Sequence, residues 1–392
     1  MTARNIVLVL PDPPLPFGNA AGRWFYALLR GLTERGHRVT TFAVCRSAFD
    51  RNATDEMYRG GDYDLRLYTY PTRTALTRKV ESLWRPYGYV FGPDLKRDLQ
   101  ARLAEGYDVL HLEQLWTGWI GWAHARQALL NIHYLFELDL AAAPLRSPKD
   151  AVLRVATRLA ERRLLRHYPT ISTLTPRLTT RIAQIAPRAT VHTVPLGLDL
   201  HNYPFGADGA VHERPIVGLI GSFDWYPTRS AGDRLITRLW PEIRRRVPDA
   251  RLLLVGRDAR SAMARHLPMR SVEVYENVPD ILPYFAATDV MLYTPASGSG
   301  MKVKVLEAFA LGVPVVTTGE GVEGIPAADG VHAGVAEDDA GLIERTVRLL
   351  TDPSHYRAVR REARRLVEAH CAPTRSIDLV EACYDTVGGR AP

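Results

Sequence analysis

Cysteine is scarce: Cys45, Cys371 and Cys383 are the only three in 392 residues. They lie far apart and share no metal-ligand or redox spacing with one another or with a histidine pair, which excludes a disulfide scaffold, a zinc finger and a thiol–disulfide motif. They read as buried thiols in a reducing compartment. Lysine is also rare, with Lys79, Lys96, Lys149, Lys302 and Lys304 alone among 50 basic residues. The net charge of +7 is therefore carried by arginine, and no block of five or six like charges occurs. That skew resembles base composition more than a nucleic-acid footprint, and without a zinc-finger or RNA-binding signature no nucleic-acid partner is expected. The excess charge suits an anionic ligand or weak contact with an acidic membrane surface. No apolar run approaches the ~18 residues of a membrane helix. Met1-Thr-Ala-Arg runs straight into an apolar strand without the h-region or cleavage site of a signal peptide, so a cytoplasmic protein is expected. Gly 29 and Pro 27 are too few for a collagen-like or low-complexity chain. The remainder is the ordinary balance of a globular protein, 46% apolar and 24% charged. At roughly 150 residues per domain, two to three domains are expected.

Short apolar runs alternate with longer periodic stretches, and the pattern runs twice. Asn5-Ile-Val-Leu-Val-Leu10 is a continuous apolar run, the mark of a strand covered on both faces. The spacing of Trp24, Leu28, Leu29 and Leu32 predicts a helix over 20–34, capped by Gly36. Strands follow at 39–44, 108–112, 129–133, 170–173 and 190–194. The second half restarts with a strand at 215–220, a helix over 231–247, and strands at 251–255, 272–275, 290–293 and 314–317. Helices at 280–287 and 301–311 lie among them. Such alternation predicts parallel sheets built from right-handed crossovers. The stretch 204–215, rich in Gly, Pro and charge, is the linker candidate. The expected architecture is α/β, two Rossmann-like doubly wound domains facing a central cleft, with ligands at the carboxyl ends of the strands. The expected domains are 1–206 and 213–372, with a helix over 373–392 returning to the first.

The most informative segment is 294–318. A buried strand ends at Tyr293, a loop bearing Gly298 and Gly300 follows, and a helix opens near Gly300. Free N–H groups at a helix start form an anion site. Lys302 and Lys304 add positive charge where the helix dipole disfavours it, which makes sense around a di-anion. Glu307 follows Lys304 by one turn and is placed to accept hydrogen bonds from a diol such as a ribose. On spacing alone a solvated helix start with a Lys304–Glu307 surface pair is an equal reading. A P-loop is excluded, because no Gly-Lys-Ser/Thr follows the loop.

Gly298-Ser-Gly-Met-Lys-Val-Lys-Val-Leu-Glu-Ala-Phe-Ala-Leu-Gly-Val-Pro-Val-Val-Thr-Thr318 resembles the donor-binding segment of retaining GT-B glycosyltransferases of the family 4 (group 1) type. That family commonly shows two glutamates eight positions apart. The second matches Glu307, which the resemblance assigns to the nucleotide ribose. The first falls at Ser299, a departure that bears on the donor sugar. Five further segments carry the likeness along the chain. Pro13-Pro-Leu-Pro-Phe-Gly-Asn-Ala-Ala-Gly-Arg23 with Glu34-Arg-Gly-His-Arg-Val-Thr40 is similar to the family's N-terminal glycine loop and the turn after it. Asn131-Ile-His133 ends a strand where the family keeps an active-site histidine. Val194-Pro-Leu-Gly-Leu-Asp199 resembles the segment before the linker, Gly221-Ser-Phe-Asp-Trp225 opens the second domain, and Val278-Pro-Asp-Ile-Leu-Pro-Tyr-Phe-Ala-Ala287 resembles the nucleobase-contacting stretch.

The resemblance implies a hexosyltransferase that moves a sugar from a nucleoside diphosphate donor, a co-substrate rather than a cofactor, to a hydroxyl on a lipid, polysaccharide or small natural product. It implies His133, Lys304 and Glu307 as catalytic residues. Donor-binding positions would be Gly18, Asn19, Gly221, Ser222, Arg229, Val278, Ser299, Gly300, Met301 and Lys302. Arg229 is the nearest candidate for the arginine usual after the first strand of the second domain. No carboxylate stands out as a covalent nucleophile, and the resemblance favours same-face attack with retention. Arg23, Trp116 and Trp119 are the acceptor candidates. Trp116, Trp119 and Trp122 recur every three residues in one expected helix, where a packing stripe is the main reading. Asp62-Tyr-Asp64 has the spacing of a metal-binding pair but sits in a polar loop before Leu65 with no second ligand cluster, so no metal is expected. The basic amphipathic stretch 73–91 reads mainly as an acceptor-side loop or helix, with a membrane-surface role as the alternative. A nucleotide-sugar epimerase or hydrolase on the same fold and a non-catalytic carbohydrate-binding protein stay open. A dinucleotide oxidoreductase lacks its Gly-x-Gly-x-x-Gly turn.

Overall fold

The computed structural model describes residues 2–72, 74–145, 147–206 and 209–389. Ala207 and Asp208, in the expected linker, and Arg73, at the head of the basic stretch, lie outside the described residues. Two all-parallel sheets organise the chain. The first contains β1 (Asn5–Leu10), β2 (Arg38–Cys45), β3 (Asp64–Thr69), β4 (Val109–Glu113), β5 (Ala128–Ile132), β6 (Thr170–Thr173) and β7 (Thr190–Thr193), in the order β3-β2-β1-β4-β5-β6-β7. The second contains β8 (Ile216–Ile220), β9 (Arg251–Gly256), β10 (Val272–Glu276), β11 (Val290–Tyr293), β12 (Val315–Thr317) and β13 (Gly334–Val335), in the order β10-β9-β8-β11-β12-β13. In each sheet the winding reverses beside the first strand, between β1 and β4 and between β8 and β11, which is where doubly wound sheets place ligands.

From Ile6 onward β1 is apolar because its neighbours flank it on both sides. Ile6 pairs with Val39 of β2 and Val109 of β4, and Ile6 to Leu10 are fully buried. The helix Ala20–Glu34 starts where the Asn19 side chain accepts the Gly22 N–H at 2.7 Å, and it ends where Gly36 takes a positive φ. Trp24, Leu28 and Leu32, one turn apart, face the sheet and are buried. Two elements depart from expectation. Asp64, expected in a polar loop, opens a strand not expected from sequence: β3 pairs with β2 from Thr40–Asp64 to Cys45–Thr69 as a half-exposed edge. The helix expected over 231–247 begins earlier, as Tyr226–Arg234, and passes through a π-helical stretch, Leu235–Leu239, into Trp240–Arg246.

The described residues form two compact units. The first takes in the chain up to Glu137, Pro144 to Gly197, and from Pro373 onward. The second takes in Leu138–Ala143 and Leu198–Ala372. The expected boundary at 206 is corrected to Gly197. Residues after it are held by the second unit, where the Tyr203 hydroxyl donates to Glu307 and Arg364 donates to the Tyr203 carbonyl at 2.9 Å. The short segment 138–143 joins the same unit through Asp139 and Ala142. The helix Pro373–Thr386 belongs to the first unit, where Glu381 accepts from His37 Nε2 at 2.8 Å and also pairs with Arg35.

Candidate functional site

In the second unit β11 ends at Tyr293, and the glycine loop leads to a helix, Val303–Leu311, that opens two residues later than the sequence suggests. Lys302 is thus its N-cap and Lys304 its second residue. Lys302 and Glu307 are buried and Lys304 is half-buried, so the surface-pair reading of Lys304 and Glu307 fails. Lys304 Nζ donates to the Thr228 hydroxyl at 2.6 Å and sits 4.4 Å above the Tyr293 ring. It also presses on the end of β8: a Cβ on Gly221 would come within 2.5 Å of Nζ. Glycine at 221 is therefore what lets this ammonium reach the strand terminus. Burial pushes the Lys304 pKa down to about 7, and Lys302 pushes it the same way, against Glu307 and Asp224. The Lys302 ammonium donates to the Gly300 carbonyl at 2.7 Å and lies 4.0 Å from Glu320.

The loop is held by a residue distant in sequence. Asp139 Oδ1 accepts from both the N–H and the hydroxyl of Ser299, the latter at 2.6 Å, while the Asp139 carbonyl accepts from Ser297 at 2.9 Å. Ser299 is buried and its N–H is engaged, so it is not one of the free donors expected there. The N–H groups of Gly300, at φ +83°, and Met301 carry no hydrogen bond among the described residues. Burial raises the Asp139 pKa to about 6 despite Ser299 and Lys302. Glu307 Oε1 accepts from the Tyr203 hydroxyl at 3.0 Å. Ser222 and Val278 are half-buried in the turns after β8 and β10. Arg229, next to Thr228, is half-buried, and among the described residues its guanidinium forms no hydrogen bond or ion pair.

In the first unit a buried carboxylate, Glu113 at the end of β4, gathers polar groups from four residues. It accepts from Asn131 Nδ2 at 3.1 Å and Trp24 Nε1 at 3.2 Å, and it lies 2.6 Å from His133 Nε2 and 3.1 Å from His111 Nε2. Burial pulls its pKa upward, but the neighbouring His111 and His133 imidazoles outweigh that and hold it well below the usual carboxylate range. Residue 133 is one position past β5, not within it. Its ring is therefore free of the strand pleat and turned onto Glu113.

Two glycosyltransferase family models match the chain, one in each half. Residues 214–352 match the family described as glycosyl transferases group 1, and residues 19–197 match the glycosyl transferase 4-like domain. The chain belongs to the group 1 glycosyltransferases. No curated protein shows significant sequence similarity to this glycosyltransferase. Solved structures share its fold over nearly the whole length. A sucrose-phosphate synthase from Thermosynechococcus elongatus superimposes with a TM-score of 0.74 at 18% identity, covering 99% of this chain and 100% of that one. The HepE protein of Anabaena, in complex with UDP and glucose, gives 0.63 at 14% identity, covering 96% and 98%. A trehalose 6-phosphate synthase from Burkholderia multivorans gives 0.63 at 13% identity, covering 100% of both. The two Rossmann-like domains are those of the GT-B architecture.

Within the glycosyltransferase, the second unit brings together Gly221, Ser299, Gly300, Lys302, Lys304 and Glu307. Asn19 spends its side chain capping the helix Ala20–Glu34, beside Gly18 at φ +84° and the half-buried Arg23. The single tryptophan helix does not form. Trp116 and Trp119 are buried in one 3₁₀ turn, Leu115–Trp119, and Trp122 opens another, Trp122–Gln127. Trp119 Nε1 donates to the Pro86 carbonyl at 3.0 Å, and Trp116 lies 5.2 Å from the Tyr87 ring, as packing residues do. Sequence reasoning missed Glu113 and Asp139. Glu113 carried a faint signal, an acid closing the apolar strand Val109–Glu113. Asp139 carried none.

Proposed function

We propose that this glycosyltransferase transfers a sugar from a nucleoside diphosphate donor to a hydroxyl acceptor, with retention at the anomeric carbon and without a metal. The observation that carries the reading is the Lys304 ammonium, half-buried against the bare Gly221 at the end of β8, in the first turn of the helix that follows the open N–H groups of Gly300 and Met301. As the glycosidic bond breaks, negative charge builds on the leaving diphosphate, and donors fixed in advance and aimed at it stabilise the transition state most. The buried Glu307 then takes the ribose hydroxyls, with Tyr203 orienting its carboxylate. The UDP and glucose bound by the Anabaena protein, which shares the fold, support a nucleotide-sugar donor. The acceptor's proton leaves on the departing phosphate.

A diphosphate would restore the proton that burial takes from Lys304. With the free-state pKa at about 7, nucleotide binding at pH 8 takes up close to one proton. Calorimetry with UDP, GDP, dTDP and ADP in two buffers of different ionisation heat measures it. Lys304→Met should abolish the uptake and weaken binding. Glu307→Gln should weaken binding by about tenfold while leaving the uptake intact. No binding by any of the four, or identical behaviour of wild type and Lys304→Met, would overturn the assignment.

A further inference from the structure

Two helices of the first unit present their apolar side chains to water. In Ala75–Trp84, Leu76, Val80, Leu83 and Trp84 follow a strict helical stripe, and each is 50–76% exposed. None of the helix's described residues is buried; the side turned inward carries Arg78, Glu81 and Ser82 instead. The helix Pro148–His167 packs beside it. Its first three turns bury nothing, and Val152, Val155 and Leu159 are about 60% exposed there. A water-soluble helix turns such a stripe inward, so two adjacent inverted ones mark a surface that is covered by something else.

Charge identifies the occupant. Residues 75–85 and 148–167 together hold nine Lys or Arg against three Asp or Glu, almost all the excess of a chain whose net charge is +7. Lys79, Arg85 and Lys149 are exposed among the apolar residues. A second copy of the chain would set this positive face against itself, because a two-fold interface repeats one patch on both sides. Long apolar side chains, an outermost tryptophan and interleaved cations are what the boundary of an anionic bilayer accepts. No helix among the described residues is long and apolar enough to cross a membrane, so the contact is with its surface. We infer that the helices Ala75–Trp84 and Pro148–His167 form a docking face for an anionic lipid bilayer, Leu83 and Trp84 entering the acyl boundary while Lys79, Arg85 and Lys149 meet lipid phosphates. The inference does not rest on the donor reading, since vesicle binding and nucleotide binding are separate measurements.

The test is sedimentation of the full chain with vesicles of phosphatidylcholine alone and of phosphatidylcholine mixed with phosphatidylglycerol, at low and high salt. Wild type should pellet with the mixed vesicles only, and less so in high salt. Leu83→Ser with Trp84→Ser should lower the partition coefficient by about tenfold or more, and Lys79→Glu with Arg85→Glu by a similar factor. All four side chains are exposed, so both variants should melt with wild type, which separates loss of docking from loss of fold. Absence of wild-type binding, equal binding to neutral vesicles, or binding indifferent to both variants would overturn the inference. So would self-association of wild type that Trp84→Ser abolishes, which would assign the face to a second copy.

Discussion

Asp139 is a buried carboxylate that accepts two hydrogen bonds from Ser299, yet burial still lifts its pKa from 3.8 to about 6. The folded chain therefore holds this proton more tightly than the unfolded chain does. Between about pH 4 and 6 the folded state binds more protons, so stability falls as pH rises through that window, and the whole penalty is present at neutral pH. In Asp139→Asn the side-chain oxygen still accepts from Ser299 while the buried charge is gone. The variant should be more stable than wild type at pH 7.5, by at most about 3 kcal/mol, and the two should converge near pH 4. Denaturant melts at both pH values decide it; a variant less stable at pH 7.5 would mean that Lys302 makes the charge stabilising. This residue also shows why only part of the site was legible. Lys302, Lys304 and Glu307 share one local segment whose loop, glycines and helix start are all written in order. Asp139 and Ser299 are 160 positions apart, and only the path of the chain brings them together.

At the element scale, β1, β11 and the helix Ala20–Glu34 match their sequence expectations because each has a local cause: an unbroken apolar run, or a capped stripe at helical spacing. β3 escaped because an edge strand is half-exposed, and Asp-Leu-Arg-Leu-Tyr-Thr holds no continuous apolar run to mark it until β2 is beside it. The tryptophan spacing of three fits a 3₁₀ turn as well as an α-helix, and tertiary packing chose between them. Gly118 and Gly121 lie so close to Leu164 and Leu112 that a Cβ would come within 2.9 and 2.4 Å of them. The same kind of constraint governs the strand ends behind Lys304. At Gly256, φ +142°, a Cβ would meet the Gly221 carbonyl oxygen at 1.9 Å, where the ends of β9 and β8 touch. Gly256→Ala should cost about 3 kcal/mol or more, because backbone cannot step aside. Gly60→Ala, at φ +78° with open space around it, should cost only about 1 kcal/mol of backbone strain. Equal losses in chemical unfolding would show that the clash is relieved by motion of the strand ends.

For the whole molecule, the order of the sequence differs from the order of the folding units, since the last helix belongs to the first unit. Pro373–Thr386 fills a groove there that nothing earlier in the chain supplies. Ile377 packs on Gly31, where a Cβ would come within 2.7 Å of it. Glu381 is the buried partner of His37 and Arg35, and the Tyr384 hydroxyl meets His111 Nδ1 at 2.7 Å. His111 in turn faces Glu113, so the helix reaches the carboxylate network that holds His133. Truncation after Ala372 removes the buried Ile377, Val380, Cys383 and Tyr384 together. At about 1.5–3 kcal/mol for each fully buried large apolar side chain, the loss is comparable to the 5–15 kcal/mol of a typical domain. It also strands the His37 ring without its acid. The truncated chain should lose hydrogen-exchange protection in β1 and β4 while β8 and β11, whose sheet the helix does not enter, keep theirs. Glu381→Gln, which keeps the helix but removes its charge from Arg35 and His37, should lower protection in the first unit alone, by about 2 kcal/mol. Uniform loss across both sheets in either variant would mean that the two units unfold as one, and that the helix is a support for the entire chain.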